Sequence, residues 1–275
     1  EVYLEQPGVE ARIEAIHATM DDYAAHVLTR RVNGLVYTER TTASGTRCGL
    51  VGAVDLEQYS YERGAQPAIR PTEGTIVSRI PPRLAVRRGG ALETPHILML
   101  LDDKQCAVLE PLAGEKAGME KLYDTELMLG GGRAAGWAVT DPARVAALED
   151  AVAAFGTQSA FDAHYPYAAG RTPLAIAVGD GNHSLATAKA YWEEIKRTLT
   201  PEQRRVHPAR LCLVELVNLH SPALGVEPIH RAVFGTDLDT FYSELRACAE
   251  RGAAHAPGAP QTLRLTDGQS AGLTV

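Results

Sequence analysis

The 275-residue sequence is poor in aromatics: two Trp, four Phe and ten Tyr make up 6% of it. A stacking platform for single-stranded nucleic acid needs more ring faces than that, set beside cations. Positive charge is the second shortage. Lys and Arg number 27 against 34 Asp and Glu, a formal net charge of −7. Proteins that neutralise nucleic-acid phosphates carry a basic face. The densest basic stretch here, "PPRLAVRRGG" at 81–90, reads as a solvated edge, so no nucleic-acid partner is expected. Cysteine is scarce too. Cys48, Cys106, Cys212 and Cys248 stand far apart without a C-x-x-C pair. That argues against a structural zinc site and fits reduced core thiols in the cytoplasm. No apolar run reaches the ~18 residues of a membrane helix, and no signal peptide opens the chain. A cytoplasmic protein without a membrane partner is expected; the oligomeric state stays open.

What is present is an ordinary globular mixture, 45% hydrophobic and 22% charged. The chain opens on Glu1 and closes on "AGLTV" without a helix cap or polar tail. It is expected to be a single α+β domain over 1–275, cut from a longer protein with segments at both ends. Val9, Ile13, Ile16, Met20, Tyr23 and Val27 recur at helical spacing, predicting a helix over 8–28. "GLVYTERTTASGTRCGLVGAVDL" (34–56) predicts a hairpin turning at Ser44-Gly45, and 96–112 predicts a second turning at Asp102-Asp103. Asp141-Pro142 starts a helix with the stripe Val145, Leu148, Val152 and Phe155. "FGTQSAFDAHYPYAAGRTP" reads as a loop-like connection.

Next comes "LAIAVGDGNHSLATAKAYWEEIK" (174–196), a short apolar strand, a polar elbow and an amphipathic helix. With the capped helix at Thr200-Pro201 and the apolar strand over 210–219, it predicts a strand-helix-strand crossover in a mixed sheet, right-handed by the usual rule. In the elbow, a helix starting near Ser184 leaves backbone N–H groups without partners, which favours an anion. Gly179 and Gly181 let a phosphate approach the backbone. Asp180 can hold magnesium or accept a proton, Asn182 can donate and accept, and His183 can shuttle a proton. The plain alternative is a turn capped by Asp180 or Ser184, with His183 packed on a neighbour. The P-loop spacing is absent.

Three further clusters carry polar chemistry. "IRPTEGTIVSRIPPR" offers Arg70, Glu73, Thr75, Arg79 and Arg83, suited to an anionic substrate with Glu73 as base; a polar loop with surface ion pairs fits as well. "LGGGRAAG" (129–136) could cradle a phosphate around Arg133, but a hairpin tip or helix stop is the simpler account. "EPIHRAVF" offers Glu227, His230 and Arg231, residue types more often found as ordinary polar groups than as ligands.

In order along the chain, "GLVGAVDLEQYSY", "IRPTEGTIVSRIPPR", "EPLAGEK", "LYDTELMLGGGR", "VGDGNHSLATAK", "HPARLCLVELVNLH" and "GVEPIHRAVF" resemble the bacterial and archaeal DUF1015 family, whose function is unknown. The resemblance covers nearly the whole chain. The elbow is also similar, more distantly, to that of the ParB/sulfiredoxin superfamily, where a short polar motif at a helix N-terminus meets nucleotide phosphates. That likeness implies a ParB/sulfiredoxin-like core and a nucleotide with Mg2+. Gly181, Asn182, His183 and Ser184 would meet phosphates, with Asp180 beside them and Glu73 across the site. Ser184 departs from the superfamily pattern, which commonly has Arg there, so Arg70, Arg79, Arg231 or magnesium would have to supply the missing charge; His230 is a further candidate phosphate or substrate contact. Phosphoryl transfer to a small hydroxylated metabolite, as in a free-serine kinase, is the leading expectation. A non-catalytic nucleotide- or metabolite-binding regulator and a metal-assisted hydrolase around Asp180, His183 and His230 are the alternatives.

Overall fold

Helix α1 spans Val9–Asp22 and runs on as a wider turn over Tyr23–Val27, close to the length its apolar spacing predicts. The computed structural model describes residues 6–225, 233–255, 262–265 and 271–274, with side chains described to residue 251. Strands β1 (Leu35–Thr42) and β2 (Gly45–Asp55) form the first hairpin. Thr42 pairs with Gly45, so the turn is Ala43–Ser44, one residue earlier than the expected pair. After the short β3 (Ile69–Pro71) comes helix α2 (Ile80–Arg87), with Pro81 and Pro82 in its first turn, where a missing N–H removes no helix bond. The basic stretch expected to be a solvated edge therefore contains a helix that buries Ile80 and Leu84.

The second hairpin, expected over 96–112, does not form. Only Leu98–Leu101 is a strand, β4. Beyond it the Asp103 carboxylate folds the chain over itself, accepting from the N–H groups of Gln105 (3.2 Å), Ala107 (2.7 Å) and Val108 (2.9 Å). Such local bonds compete with a ladder. Val108, Leu109 and Leu112 are buried instead in a loop and the short helix α3 (Leu112–Glu115).

Strands β5 (Glu120–Glu126) and β6 (Arg133–Val139) pair as a hairpin. Helix α4 (Pro142–Ala154) begins as its sequence dictates, with the Asp141 carboxylate accepting from the Arg144 N–H. Leu148 is buried, and Val145, Val152 and Phe155 pack against the core. The segment expected to be a loop holds helix α5 (Gln158–His164), capped by the Thr157 hydroxyl. Then come β7 (Ile176–Asp180), α6 (Asn182–Ile195), α7 (Pro201–Val206) with a Thr200/Gln203 capping box, and β8 (Leu211–Asn218).

The eight strands make one mixed sheet in the order β3-β7-β4-β8-β2-β1-β6-β5, giving an α+β fold. The pairs β3/β7 and β4/β8 are parallel, and the other neighbours are antiparallel. The strand-helix-strand connection is there, but β4 lies between β7 and β8, and β8 runs antiparallel to β7. The handedness rule for parallel crossovers therefore does not apply to it. Leu185, Ala188 and Trp192 of α6 join Met99, Leu101, Val178 and Val214 of the sheet in one core.

By internal contacts the chain divides into two compact units, Glu1–Gly225 and Val226–Val275. The second holds helix α8 (Leu238–His255) and the antiparallel pair β9 (Thr262–Leu265) and β10 (Ala271–Thr274). All four cysteines are free: Cys212 is buried, Cys48 and Cys106 half-buried, Cys248 exposed. Among the described residues no helix is long and apolar enough to cross a membrane.

Candidate functional site

The elbow joins β7 directly to α6, which starts at Asn182, two residues before the expected Ser184. Gly181 makes the tight join possible. Its φ of +83° lies in the left-handed region, and a Cβ there would sit 3.0 Å from the Ile97 Cα. No side chain caps the helix. Asp180 Oδ1 accepts the Gly181 N–H at 2.7 Å, and Ser184 Oγ lies 2.8 Å from His96 Nε2. Neither of the two candidate caps therefore serves a helix N–H. The first-turn N–H groups of Asn182, His183 and Ser184 are left at the positive end of the helix dipole. The Asn182 side chain is only 2% exposed, and both its amide N and O are buried without a partner. Buried amide atoms are nearly always paired, and leaving them unpaired costs roughly 1–3 kcal/mol.

The second sequence cluster docks on the elbow. His183 Nε2 accepts the Ile76 N–H at 3.1 Å. The ring proton is therefore on Nδ1, which makes His183 a neutral donor at that atom. Its pKa is lowered by partial burial first, then by the cations of Arg79 and Arg83, with the Glu73 carboxylate opposing them. Glu73, Arg79, Asp180 and His183 thus share one locality, joined by a contact between Ile76 and His183 that spans 107 positions of sequence.

Arg70 has a different task. Its guanidinium donates to the carbonyls of Pro67 (2.8 Å), Gln66 (3.4 Å), Thr172 (3.0 Å) and Pro173 (2.8 Å), tying β3 to the approach to β7. The Thr75 hydroxyl is buried beside that of Tyr59, and neither makes a hydrogen bond of good geometry. Arg133 forms a two-pronged ion pair with Asp124 at 2.6 and 2.7 Å, so "LGGGRAAG" is the hairpin tip of β5–β6. Glu227, His230 and Arg231 lie outside the described residues. His96, which engages Ser184, had no motif around it to mark it out.

Beside the elbow runs a groove of about 600 Å3 lined by Arg83, Glu93, His96, Ser184, Thr187 and Tyr191, among others. Its mixed polar and aromatic lining offers room for the body of a ligand whose anionic end meets the helix. Among the described residues, no group of three His, Cys, Asp or Glu side chains could hold a metal ion.

Fold and site together define an α+β protein with an uncapped strand-to-helix elbow under a mixed sheet. A family model described as "Protein of unknown function (DUF1015)" matches residues 1–274, and the chain belongs to that family. No curated protein matches it, and no solved structure does.

Proposed function

We propose that the elbow binds the phosphates of a nucleotide together with its Mg2+, and that the protein passes a phosphoryl group to a small hydroxylated metabolite. The observation that carries this is the uncapped start of α6 next to a buried amide, Asn182, that has no partner. An anion there would accept from the N–H groups of Asn182, His183 and Ser184. The Nδ1–H of His183 and the guanidinium of Arg79 would add donors that strengthen as charge builds on the transferred group. The acceptor's hydroxyl oxygen would bond to the terminal phosphorus as the bond to the nucleoside diphosphate breaks. Glu73 would take the hydroxyl proton. The neighbouring groove would receive the nucleoside or the metabolite.

A binding-only regulatory role is the second reading. It is favoured by one observation: among the described residues nothing hydrogen-bonds Glu73 to orient it as a base. Among the described residues the donor set offers no support for the metal-assisted hydrolase. Calorimetric titration with Mg·ATP, ADP and inorganic phosphate, paired with an ADP-release assay over hydroxylated amino acids and sugars, tests the proposal. Arg79→Ala should weaken nucleotide binding about tenfold, the scale of one charge-assisted hydrogen bond. Glu73→Gln should keep binding and abolish turnover. No binding at millimolar nucleotide would sink both readings; binding without turnover, equal in wild type and Glu73→Gln, leaves the regulatory one.

A further inference from the structure

At the other end of β4, beyond Leu101, a second cluster closes a cavity that the elbow does not use. The cavity, of about 510 Å3, is lined by Leu100, Phe155, Phe161, Leu174, Ala177 and Leu219, with Asp102, His164 and Tyr165 at its polar end. Three donors converge on the Asp102 carboxylate. The Tyr165 hydroxyl and His164 Nε2 (2.9 Å) meet Oδ2, and His220 Nε2 (2.5 Å) meets Oδ1. Burial alone would raise the Asp102 pKa, but the bonds from Tyr165, His220 and His164 outweigh it and bring it down to about 2. Because the carboxylate is ionised, each imidazole must donate. The protons therefore sit on Nε2, and each Nδ1 becomes an acceptor when the ring is neutral.

The polar end thus presents the Asp102 carboxylate, with one lone-pair position left after its three donors, and the His164 ring beside it. The rest of the lining is apolar and aromatic, and the volume suits a small organic molecule. Among the described residues, Asp102 is the only carboxylate on the lining. We propose that this cavity is a binding site for a small apolar amine, its ammonium held by Asp102 beside His164 and its body among Phe155, Phe161 and Leu100. The aromatic rings favour the cation as well. The site is separate from the elbow and does not rest on the phosphate reading.

The test uses three probes with one body and three heads: 2-phenylethylamine, 2-phenylethanol and phenylacetate, titrated against the whole chain by calorimetry and ligand-observed NMR. Affinity should fall in the order amine, alcohol, carboxylate, with the amine about tenfold or more ahead of the alcohol. Asp102→Asn should erase that preference. Ala177→Leu, which fills the cavity and leaves every polar group in place, should abolish binding of the amine without lowering the melting temperature. Equal affinity for all three heads, binding that survives Ala177→Leu, or no amine binding at 10 mM (about the weakest affinity a nine-atom fragment would show) would each overturn the proposal. Arg79→Ala, which reports on the elbow, should leave amine binding unchanged.

Discussion

Replacing Gly181 by Ala is the sharpest structural test of the elbow. Two costs follow from its geometry. The residue sits at φ +83°, and a side chain in the left-handed region costs roughly 1–2 kcal/mol. The new Cβ would also lie 3.0 Å from the Ile97 Cα and 3.1 Å from its Cγ1, so the backbone of the segment entering β4 must shift. Crowding of that kind adds roughly 1–3 kcal/mol. Together they predict a loss of about 2–5 kcal/mol, read from the denaturant midpoint at constant slope. Gly179→Ala is the control. Its nearest obstacle is the Leu100 side chain, 2.8 Å away at Cγ. That side chain borders the cavity closed by Asp102 and has room to turn aside. The control should lose less than about 1.5 kcal/mol. If Gly181→Ala were within about 0.5 kcal/mol of wild type, or no worse than the control, the tight join between β7 and α6 would not be what holds the elbow.

Arg70→Met should cost about 1–3 kcal/mol, because it strands carbonyls of Pro67, Gln66, Thr172 and Pro173, and should leave phosphate binding intact in calorimetry. His183 has a folded pKa below its free value, lowered by burial and by Arg79 and Arg83. Its contact with the Ile76 N–H is therefore fully present above the unfolded pKa of about 6.5 and is lost as pH falls through the folded value. Stability of His183→Ala relative to wild type should converge between pH 7.5 and 5, with the imidazole followed by NMR. Leu129 is 99% exposed at a hairpin tip with φ +57°, so Leu129→Asn should raise stability by about 0.5–1 kcal/mol in the same denaturation assay.

The parts of this fold that sequence made legible are those where one local signal had no rival. The Asp141-Pro142 start, the Thr200-Pro201 start and the α6 stripe each have a single interpretation, and each is formed. The failures have a common physical origin. Asp102-Asp103 looks like a hairpin turn, yet Asp103 gathers three backbone N–H groups and bends the chain away from any ladder. Cys106, with φ +52°, completes the bend, and nothing in the residue types announces it. Helix α5 is only seven residues long and hides among turn formers, although Thr157 caps it. With α5 went His164 and Tyr165, and with the second hairpin went Asp102. All three belong to the cavity that no motif marked. The elbow was legible because its chemistry is contiguous. Its link to Ile76 has no local signal, since pairing across so long a stretch of chain is set by β3 adding beside β7.

The antiparallel pairing of β4 with β7 also fixes how the two sites relate. Leu98 pairs with Asp180 at the elbow end, and Asp102 follows four residues later at the cavity end. At a strand rise of about 3.3 Å per residue, roughly 13 Å of sheet separates them. Energies of changes that far apart normally add to within about 0.5 kcal/mol. Combining Gly181→Ala with Asp102→Asn should therefore give the sum of the two single losses in stability. Each change touches β4, however: the first through Ile97 at its entry, the second through the residue after Leu101. If the strand moved as one rigid element, strain at one end would already have loosened the other, and the double variant would lose less than the sum. A shortfall of more than about 1 kcal/mol would show that the elbow and the cavity are coupled through β4 and would refute their independence.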